Sequence, residues 1–112
     1  MKLTITSIEL KGVFKFFVLS KHALNIMKQL RTSNCKGFKK RGIWTTHYTM
    51  TIWNNEQEMK AFAMSGAHLS AMKISQSIAK EIKILTIDAN EFPKWKDAIQ
   101  KLNMEGKTLR FN

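Results

Sequence analysis

The sequence is short of several residue types that mark particular classes of protein. Its one cysteine, Cys35, cannot form a disulfide within the chain and provides no set of thiolates for a metal. Its one proline is Pro93, and no segment has repetitive or low-complexity composition. No apolar run is long enough to span a bilayer, since the best candidate, residues 13–19, is short and contains a lysine. We therefore expect a cytoplasmic protein with no membrane partner.

Acidic residues are also scarce. The 112 residues include 8 Asp or Glu against 19 Lys or Arg, which gives a formal net charge of +11. The sequence contains no carboxylate pair, nucleophile elbow or glycine-rich phosphate loop. The three histidines and the cysteine do not have the spacing of a zinc site. Carboxylate acid–base catalysis, phosphate-loop chemistry and a zinc centre therefore have little support.

Hydrophobic periodicity predicts strands alternating with amphipathic helices. In chain order they are strand 3–10, helix 14–31, a basic connection at 37–42 with room for a short edge strand, strand 43–53, helix 56–80 interrupted at Gly66, and strand 82–89. This is the βαββαβ order of ferredoxin-like domains, which places the helices on one face of an antiparallel sheet. We therefore predict one α+β domain over residues 1–112.

An extra C-terminal helix is predicted at residues 90–106. Asn90 is its expected N-cap, Pro93 stands in its first turn, and Gly106 ends it. Its apolar residues form one seam, which consists of Phe92, Trp95, Ile99 and Leu102. We expect this seam to pack the helix onto its own sheet or onto a partner subunit, and residues 107–112 to be loosely held.

The segment from residue 43 to residue 72 is the most informative part of the chain. Strict alternation in the strand places Trp44, Tyr48, Met50 and Ile52 on one face and His47, Thr49, Thr51 and Trp53 on the other. Asn55 then caps the following helix, and Glu58 can complete a capping box. The helix breaks at Ser65-Gly66-Ala67-His68 and resumes toward Met72.

This strand and broken helix resemble the antibiotic-biosynthesis-monooxygenase-like group of the dimeric α/β-barrel superfamily, and within it a branch related to spheroidene monooxygenase. The resemblance implies a homodimer in which two sheets close a barrel with a ligand-sized pocket in each protomer. It also implies oxidation of a small apolar or aromatic molecule, either without a cofactor or with haem. The chain is therefore interpreted as a monooxygenase-like protein.

His68 is the candidate catalytic residue, because it follows the helix break and matches the histidine of the group's S-x-x-H element. A neutral imidazole there can accept a proton, or ligate the iron if haem is bound. The alternative is a structural role, in which His68 caps the preceding helix or bonds a backbone carbonyl across the dimer.

The candidate ligand-binding residues are His47, Thr49, Thr51, Trp53 and Met72. The first four share a strand face that forms a half-polar pocket wall if that face lines the pocket. The alternatives are that His47 and the threonines are ordinary strand residues on a wetter face, and that Trp53 is a packing anchor.

Two other functions compete with the monooxygenase interpretation. The first is a non-catalytic or stress-related dimer that binds a small molecule without turnover. The second is association with nucleic acid through residues 1–44, which carry ten Lys or Arg against one Glu, with a cluster at 36–41. The strand after Arg41 and Gly42 lacks two of the three aromatics that RNA-recognition modules use for stacking, so nucleic acid is not the expected partner.

Overall fold

The computed structural model describes residues 1–12, 14–31, 33–43, 45–64 and 66–111, with the side chains of residues 43, 67–71 and 76 outside that description. This part of the chain forms five strands and four helices. In order they are β1 (Lys2–Leu10), α1 (Lys15–Arg31), β2 (Cys35–Ile43), β3 (Thr46–Trp53), α2 (Glu56–Ala63), α3 (Gly66–Ile78), β4 (Ala79–Asp88), α4 (Trp95–Glu105) and β5 (Lys107–Arg110).

β1 is the centre of one antiparallel sheet in the order β2-β3-β1-β4-β5. It pairs with β3 from Lys2 opposite Trp53 to Glu9 opposite Thr46. On its other side it pairs with β4, beginning with Lys2 opposite Asp88. The order of the first four strands is that of a ferredoxin-like domain. The prediction of an α+β ferredoxin-like fold with an extra C-terminal helix is therefore confirmed.

The strand register divides the sheet into two faces of different chemistry. The α4 face carries Leu3, Ile5, Tyr48, Met50, Ile52, Leu85 and Ile87. The threonine face carries Thr4, Thr6, His47, Thr49, Thr51, Trp53 and Thr86. Alternation in β3 predicted this division, because successive side chains of a strand point to opposite faces. Trp44, which was expected to share a face with Tyr48, lies outside the described residues.

The α4 face contains the main hydrophobic core. Leu3, Ile5 and Met50 are fully buried, and Ala98 and Leu102 of α4 complete the same cluster. Trp95 and Phe92 are partly buried against it. The apolar seam predicted for the C-terminal helix therefore packs onto the chain's own sheet, which was one of the two expected places for it.

Helices α1 and α2 pack against the threonine face at the end of β3. Leu30 of α1, Trp53 of β3 and Phe62 of α2 form a second buried cluster. Ile26 and Met59 are partly buried around it. Both faces of the sheet are thus covered within one chain, but only the α4 face has a continuous apolar lining.

β2 corrects the sequence-based view of the first hairpin. Residues 37–42 were expected to form a basic connection with room for a short edge strand, and the structure has a full nine-residue edge strand, Cys35–Ile43, paired with β3 from Cys35 opposite Trp53 to Ile43 opposite Thr46. Ile43 therefore belongs to β2 and not to the start of the next strand. Lysine and glycine depress strand propensity, so pairing with β3 decides the structure here. Gly37 suits its position because a Cβ there would lie 2.7 Å from the ring of Phe92.

The C-terminal region departs from prediction in two further ways. The helix begins at Trp95 with Lys94 as its N-cap, so Asn90 and Pro93 precede it and do not form its first turn. Gly106 follows its last residue, as predicted. The tail is not loose, because β5 pairs with β4 from Arg110 opposite Glu81 to Lys107 opposite Ile84.

The start of α2 follows the predicted capping chemistry. The Asn55 side chain accepts a hydrogen bond of 2.9 Å from the Glu58 backbone N–H. This bond satisfies one of the donors that a helix N-terminus leaves free. The predicted break at Gly66 is also present, since α2 ends at Ala63 and α3 begins at Gly66. None of the described helices combines the length and apolar character needed to cross a membrane.

Candidate functional site

The threonine face presents hydroxyl groups where a sheet covered by helices usually presents apolar side chains. Thr4, Thr6, Thr49 and Thr51 are all half-buried. The Thr4 hydroxyl lies 2.9 Å from the Met59 sulfur of α2 and 3.1 Å from the Thr86 hydroxyl of β4. Hydroxyls both donate and accept hydrogen bonds, so this surface can meet the polar groups of a small ligand.

The threonine face remains open on the side of β4. Thr86 is exposed there, and Ile84 on the same face is 37% exposed. By contrast, the equivalent central positions of the α4 face, Ile5 and Met50, are 0% exposed. A half-polar and partly open surface beside helices offers both hydrogen-bonding and apolar contacts to a small molecule. We call the surface formed by Thr4, Thr6, His47, Thr49, Thr51 and Thr86, bordered by α1 and α2, the threonine groove.

His47 lies at the end of this groove nearest the start of α1. Its ring stacks on Phe16, with the ring centroids 5.5 Å apart and the planes inclined by 30°. On the β2 side it lies against Gly42, where an added Cβ would be 2.8 Å from Nδ1. Its Nε2 atom is buried and has no hydrogen-bond partner among the described residues. A buried polar atom without a partner is uncommon, and it makes His47 a candidate to form a hydrogen bond with a ligand or a water molecule.

The protonation of His47 follows from the same packing. Burial lowers its pKa below the usual value of 6.5. The imidazole is therefore mainly neutral at physiological pH, and a neutral imidazole offers one donor and one acceptor nitrogen. His47 can thus accept a hydrogen bond or a proton from a ligand hydroxyl.

The lowered pKa makes the stability of the fold depend on pH. His47 binds fewer protons in the folded chain than in the unfolded chain when the pH lies below 6.5. Above pH 6.5 the imidazole is neutral in both states, so the free energy of unfolding has its full value there. We expect it to decrease as the pH falls below 6.5 toward the folded-state pKa of His47. Urea unfolding of the wild type and of His47→Phe across this window measures the effect. In the variant the free energy of unfolding should fall less steeply with decreasing pH. If it fell as steeply as in the wild type, the pH dependence would belong to other groups.

Two clefts lie around the second buried cluster, at the end of the sheet away from His47. The smaller has a volume of about 240 Å³ and is lined by Met27, Leu30, Arg31, Cys35, Gly37 and Phe38. The larger has a volume of about 430 Å³ and is lined by Gln29, Ser33, Asn34, Trp53, Gln57, Glu58, Ala61 and Phe62. Neither is lined by the groove's threonines, so we assign the candidate site from the contacts of the threonine face itself.

Trp53 serves mainly as a packing residue. Its side chain is 1% exposed, and its ring lies 5.2 Å from that of Phe62. Its Nε1 donates a hydrogen bond of 3.0 Å to the Thr51 hydroxyl, which fixes the orientation of that hydroxyl. The packing-anchor alternative for Trp53 is thus the one that these contacts favour, while a direct contact with ligand remains a prediction.

The other predicted site residues lie on α3. Met72 is 51% exposed on that helix. His68 belongs to α3, two residues after its start at Gly66, and its side chain lies outside the described residues. The structure therefore brings His47, Thr49, Thr51 and Trp53 onto one face, as predicted, and the catalytic role of His68 stays a prediction.

Sequence reasoning missed the parts of the groove that come from other elements. Thr4 of β1 lies opposite Thr51 of β3 on one side and opposite Thr86 of β4 on the other. From the helices, Phe16 contacts His47 and Met59 contacts Thr4. The alternation of Thr4, Thr6 and Ile8 in β1 was the available signal. Among the described residues, no group of three or more His, Cys, Asp or Glu side chains could hold a metal ion.

No family profile matches the sequence, and no curated protein does. Solved structures do match its fold. One is a candidate antibiotic biosynthesis monooxygenase from Deinococcus radiodurans, with a TM-score of 0.72 and 13% identity over 84% of this chain and 97% of that one. A second, from Nitrosomonas europaea, has a TM-score of 0.71 and 12% identity over 80% of this chain and 89% of that one.

A third candidate antibiotic biosynthesis monooxygenase, from Caulobacter crescentus, has a TM-score of 0.70 and 12% identity over 80% of this chain and 90% of that one. Identities this low establish similarity of fold and leave chemistry open. The chain has the ferredoxin-like fold of antibiotic-biosynthesis-monooxygenase-like proteins, which confirms the resemblance noted in the sequence at the level of fold. The link to a spheroidene monooxygenase branch stays a prediction.

Proposed function

We propose that this protein binds a small aromatic or apolar molecule in the threonine groove and oxidises it as a monooxygenase. The observation that carries the proposal is the buried, unpartnered Nε2 of His47 at the end of a half-polar floor. Support for oxidation comes from the fold, since structures that share it are named antibiotic biosynthesis monooxygenases. The site proposed is specific to this chain's residues and rests on their contacts.

The groove residues suit a ligand with an aromatic body and a hydroxyl group. Phe16 offers a ring face at one end, and the Met59 sulfur offers a soft apolar contact above Thr4. Thr49 and Thr51 provide hydroxyls that can orient the ligand, and neutral His47 can accept its proton. In a cofactor-free monooxygenase the substrate supplies the electrons, one oxygen atom enters the product and the other leaves as water. Few catalytic side chains are then required.

Haem is the cofactor that the resemblance also allows, with His68 as its ligand. Among the groove residues that the structure describes, His47 does not fit this role, because its ring is held between Phe16 and Gly42. The described groove therefore supports binding through hydroxyls and an imidazole. Haem ligation by His68 is the competing version, and a titration with haemin separates the two.

A binding experiment tests the groove directly. We expect naphthol, as an aromatic hydroxyl probe, to bind the purified protein saturably, and His47→Phe or Thr49→Val to weaken it about tenfold by removing one hydrogen-bonding group. Thr108→Val, on exposed β5, is the matched control and should bind as the wild type does. Calorimetric titration gives the affinities, and equal binding by all four proteins would remove the groove from consideration.

Further measurements separate the proposed activity from its rivals. Oxygen consumption with aromatic hydroxyl compounds, lost in His47→Phe, would support oxidation, whereas binding without consumption would indicate a non-catalytic binding protein. A saturable haemin absorbance shift that is lost in His68→Ala would replace the cofactor-free version with the haem version. We also propose that the chain is a homodimer, as its resemblance implies, and sedimentation of the purified protein measures this.

A further inference from the structure

Helix α1 and the turn residue Phe14 just before it present an apolar stripe to solvent, on the side opposite the packed face of the helix. Phe14 is 81% exposed, Phe17 71% and Leu24 60%, and Val18 between them is 36% exposed. Phe17 and Val18 come three and four residues after Phe14, and Leu24 comes seven residues after Phe17, so the four lie on one side of the helix, which Lys21 and Lys28 share. Ile26 and Leu30 point the other way, into the cluster around Trp53.

This stripe is unusual for a chain of this size. Phenylalanine is among the residues most often buried, and exposed apolar side chains that cluster mark interaction sites more often than singly exposed ones do. Within this segment the ring that stacks on His47 is that of Phe16, and Phe17 lies edge-on to Phe16 with the ring centroids 6.1 Å apart. The stripe therefore needs an explanation other than ligand binding in the groove.

The charges around the stripe are all positive. Residues 10–55 contain no Asp or Glu, whereas they contain nine Lys or Arg. Lys15, Lys21, Lys28 and Arg31 belong to α1 itself. In the described part of the chain, the ion pairs formed by side chains involve Lys2, Lys60, Lys83 and Arg110, and none involves a cation between residues 15 and 41. These cations therefore face solvent or neutral groups.

Charge complementarity identifies the kind of surface that fits the stripe. A second copy of the chain docked on the same stripe would place one set of these cations against another. Nucleic acid would satisfy the cations, but a duplex or single strand gives no reason for several exposed apolar side chains along a helix. A bilayer containing anionic lipid fits both the cations and the apolar side chains. Its phosphates attract the cations, and the apolar side chains can insert at the boundary between headgroups and acyl chains.

We propose that α1 is a membrane-surface helix that binds bilayers rich in anionic phospholipid. Phe14, Phe17, Val18 and Leu24 insert at the boundary between headgroups and acyl chains, while Lys21 and Lys28 contact lipid phosphates. The sequence predicted no membrane partner because it has no apolar run long enough to span a bilayer. A helix lying in the interface needs no such run, since it buries only one side.

Sedimentation with lipid vesicles tests this proposal. We expect the wild type to sediment with vesicles of phosphatidylcholine and phosphatidylglycerol in equal amounts, and to remain in solution with phosphatidylcholine alone. The double variant Phe14→Gln/Phe17→Gln should bind about tenfold more weakly, because it loses most of the inserted apolar area. Lys21→Gln/Lys28→Gln should also bind about tenfold more weakly, because each lysine near an anionic surface contributes to attraction.

Two matched controls use exposed residues on the opposite side of the molecule. Met104→Gln removes an apolar side chain that is 76% exposed on α4, and Lys101→Gln/Lys107→Gln removes two exposed cations. Both should bind vesicles as the wild type does, apart from a small effect of net charge for the second. Circular dichroism confirms that each variant is folded, and the single variant Phe14→Gln, outside the helix, replaces the double variant if that one unfolds.

Four results would overturn the proposal. The wild type could fail to sediment with the anionic vesicles. The phenylalanine variant could bind them as tightly as the wild type, which would leave a charge effect without insertion. Third, the wild type could sediment as a dimer that does not bind vesicles, and the phenylalanine variant as a monomer. The stripe would then be an interface between copies. Fourth, the wild type could bind a single-stranded RNA and not the vesicles. If the lysine variant lost this binding and the phenylalanine variant kept it, the partner would be nucleic acid.

Discussion

Trp53→Ala is expected to lower the free energy of unfolding by about 3–5 kcal/mol, which is the range for truncating a buried tryptophan. The Trp53 side chain is 1% exposed and packs against Phe62, so its removal leaves a cavity between β3 and α2. It also removes the donor to the Thr51 hydroxyl. Because a domain of this size has a total stability of about 5–15 kcal/mol, this loss is a large fraction of the stability of the fold. Urea or thermal denaturation measures the loss.

Two comparison variants show whether packing is the cause. Trp53→Phe keeps most of the buried ring and should recover a large part of the stability, although it cannot donate to Thr51. Phe14→Ala removes an aromatic side chain that is 81% exposed and should change stability by less than about 0.5 kcal/mol. If Trp53→Ala remained stable but lost binding of naphthol, Trp53 would be a ligand contact and not an anchor.

Leu102→Ala is expected to lower the free energy of unfolding by about 3 kcal/mol, within the range for a buried leucine. Leu102 is 0% exposed and holds α4 against Leu3 and Ile5 of the central strand. Truncation leaves a cavity in the main core and loosens the helix that leads into β5. Chemical denaturation followed by circular dichroism gives the change, since the transition of a small single domain is usually cooperative.

The matched control for Leu102 lies two residues along the same helix. Met104 is 76% exposed, so Met104→Ala should change stability by less than about 0.5 kcal/mol. A small effect of Leu102→Ala would mean that α4 does not dock on its own sheet. A destabilisation that disappears as protein concentration rises would place the docking surface on a partner subunit, which was the other position that the sequence allowed for this helix.

Much of the fold was predictable because it depends on local pattern. The alternation of His47, Thr49 and Thr51 with Tyr48 and Met50 fixes which side chains share a face, whatever the strand pairs with. The Asn55 cap and the break before α3 depend on neighbouring residues alone. These features required no knowledge of the rest of the chain.

The errors concern segments whose structure depends on distant partners. β2 has the composition of a basic loop, and its strand structure comes from pairing with β3. β5 is a short basic tail that becomes a strand because the edge of β4 is available. The start of α4 was placed early because Asn90 and Pro93 have the residue types of a helix start, whereas Phe92 already packs against the core and the helix begins only at Trp95, with Lys94 as its N-cap.

The candidate site divides in the same way. The β3 side chains of the site could be predicted from alternation within that one strand. Thr4 and Thr86 come from strands distant in sequence, and Phe16 and Met59 come from two helices, so they could not. The exposure of Phe14 and Phe17 was equally hidden, since a helical pattern that is apolar on more than one side does not say which side packs.

The sequence by itself determined the class of fold, the side chains that share a face of β3 and the excess of positive charge, because periodicity and composition are properties of neighbouring residues. Tertiary structure decided that the threonine face borders α1 and α2, while the α4 face holds the main core. It also decided that His47 is buried without a partner for Nε2, and that one side of α1 is exposed and apolar. These properties depend on strand register and helix packing, which join residues far apart in the chain and set the desolvation of each group.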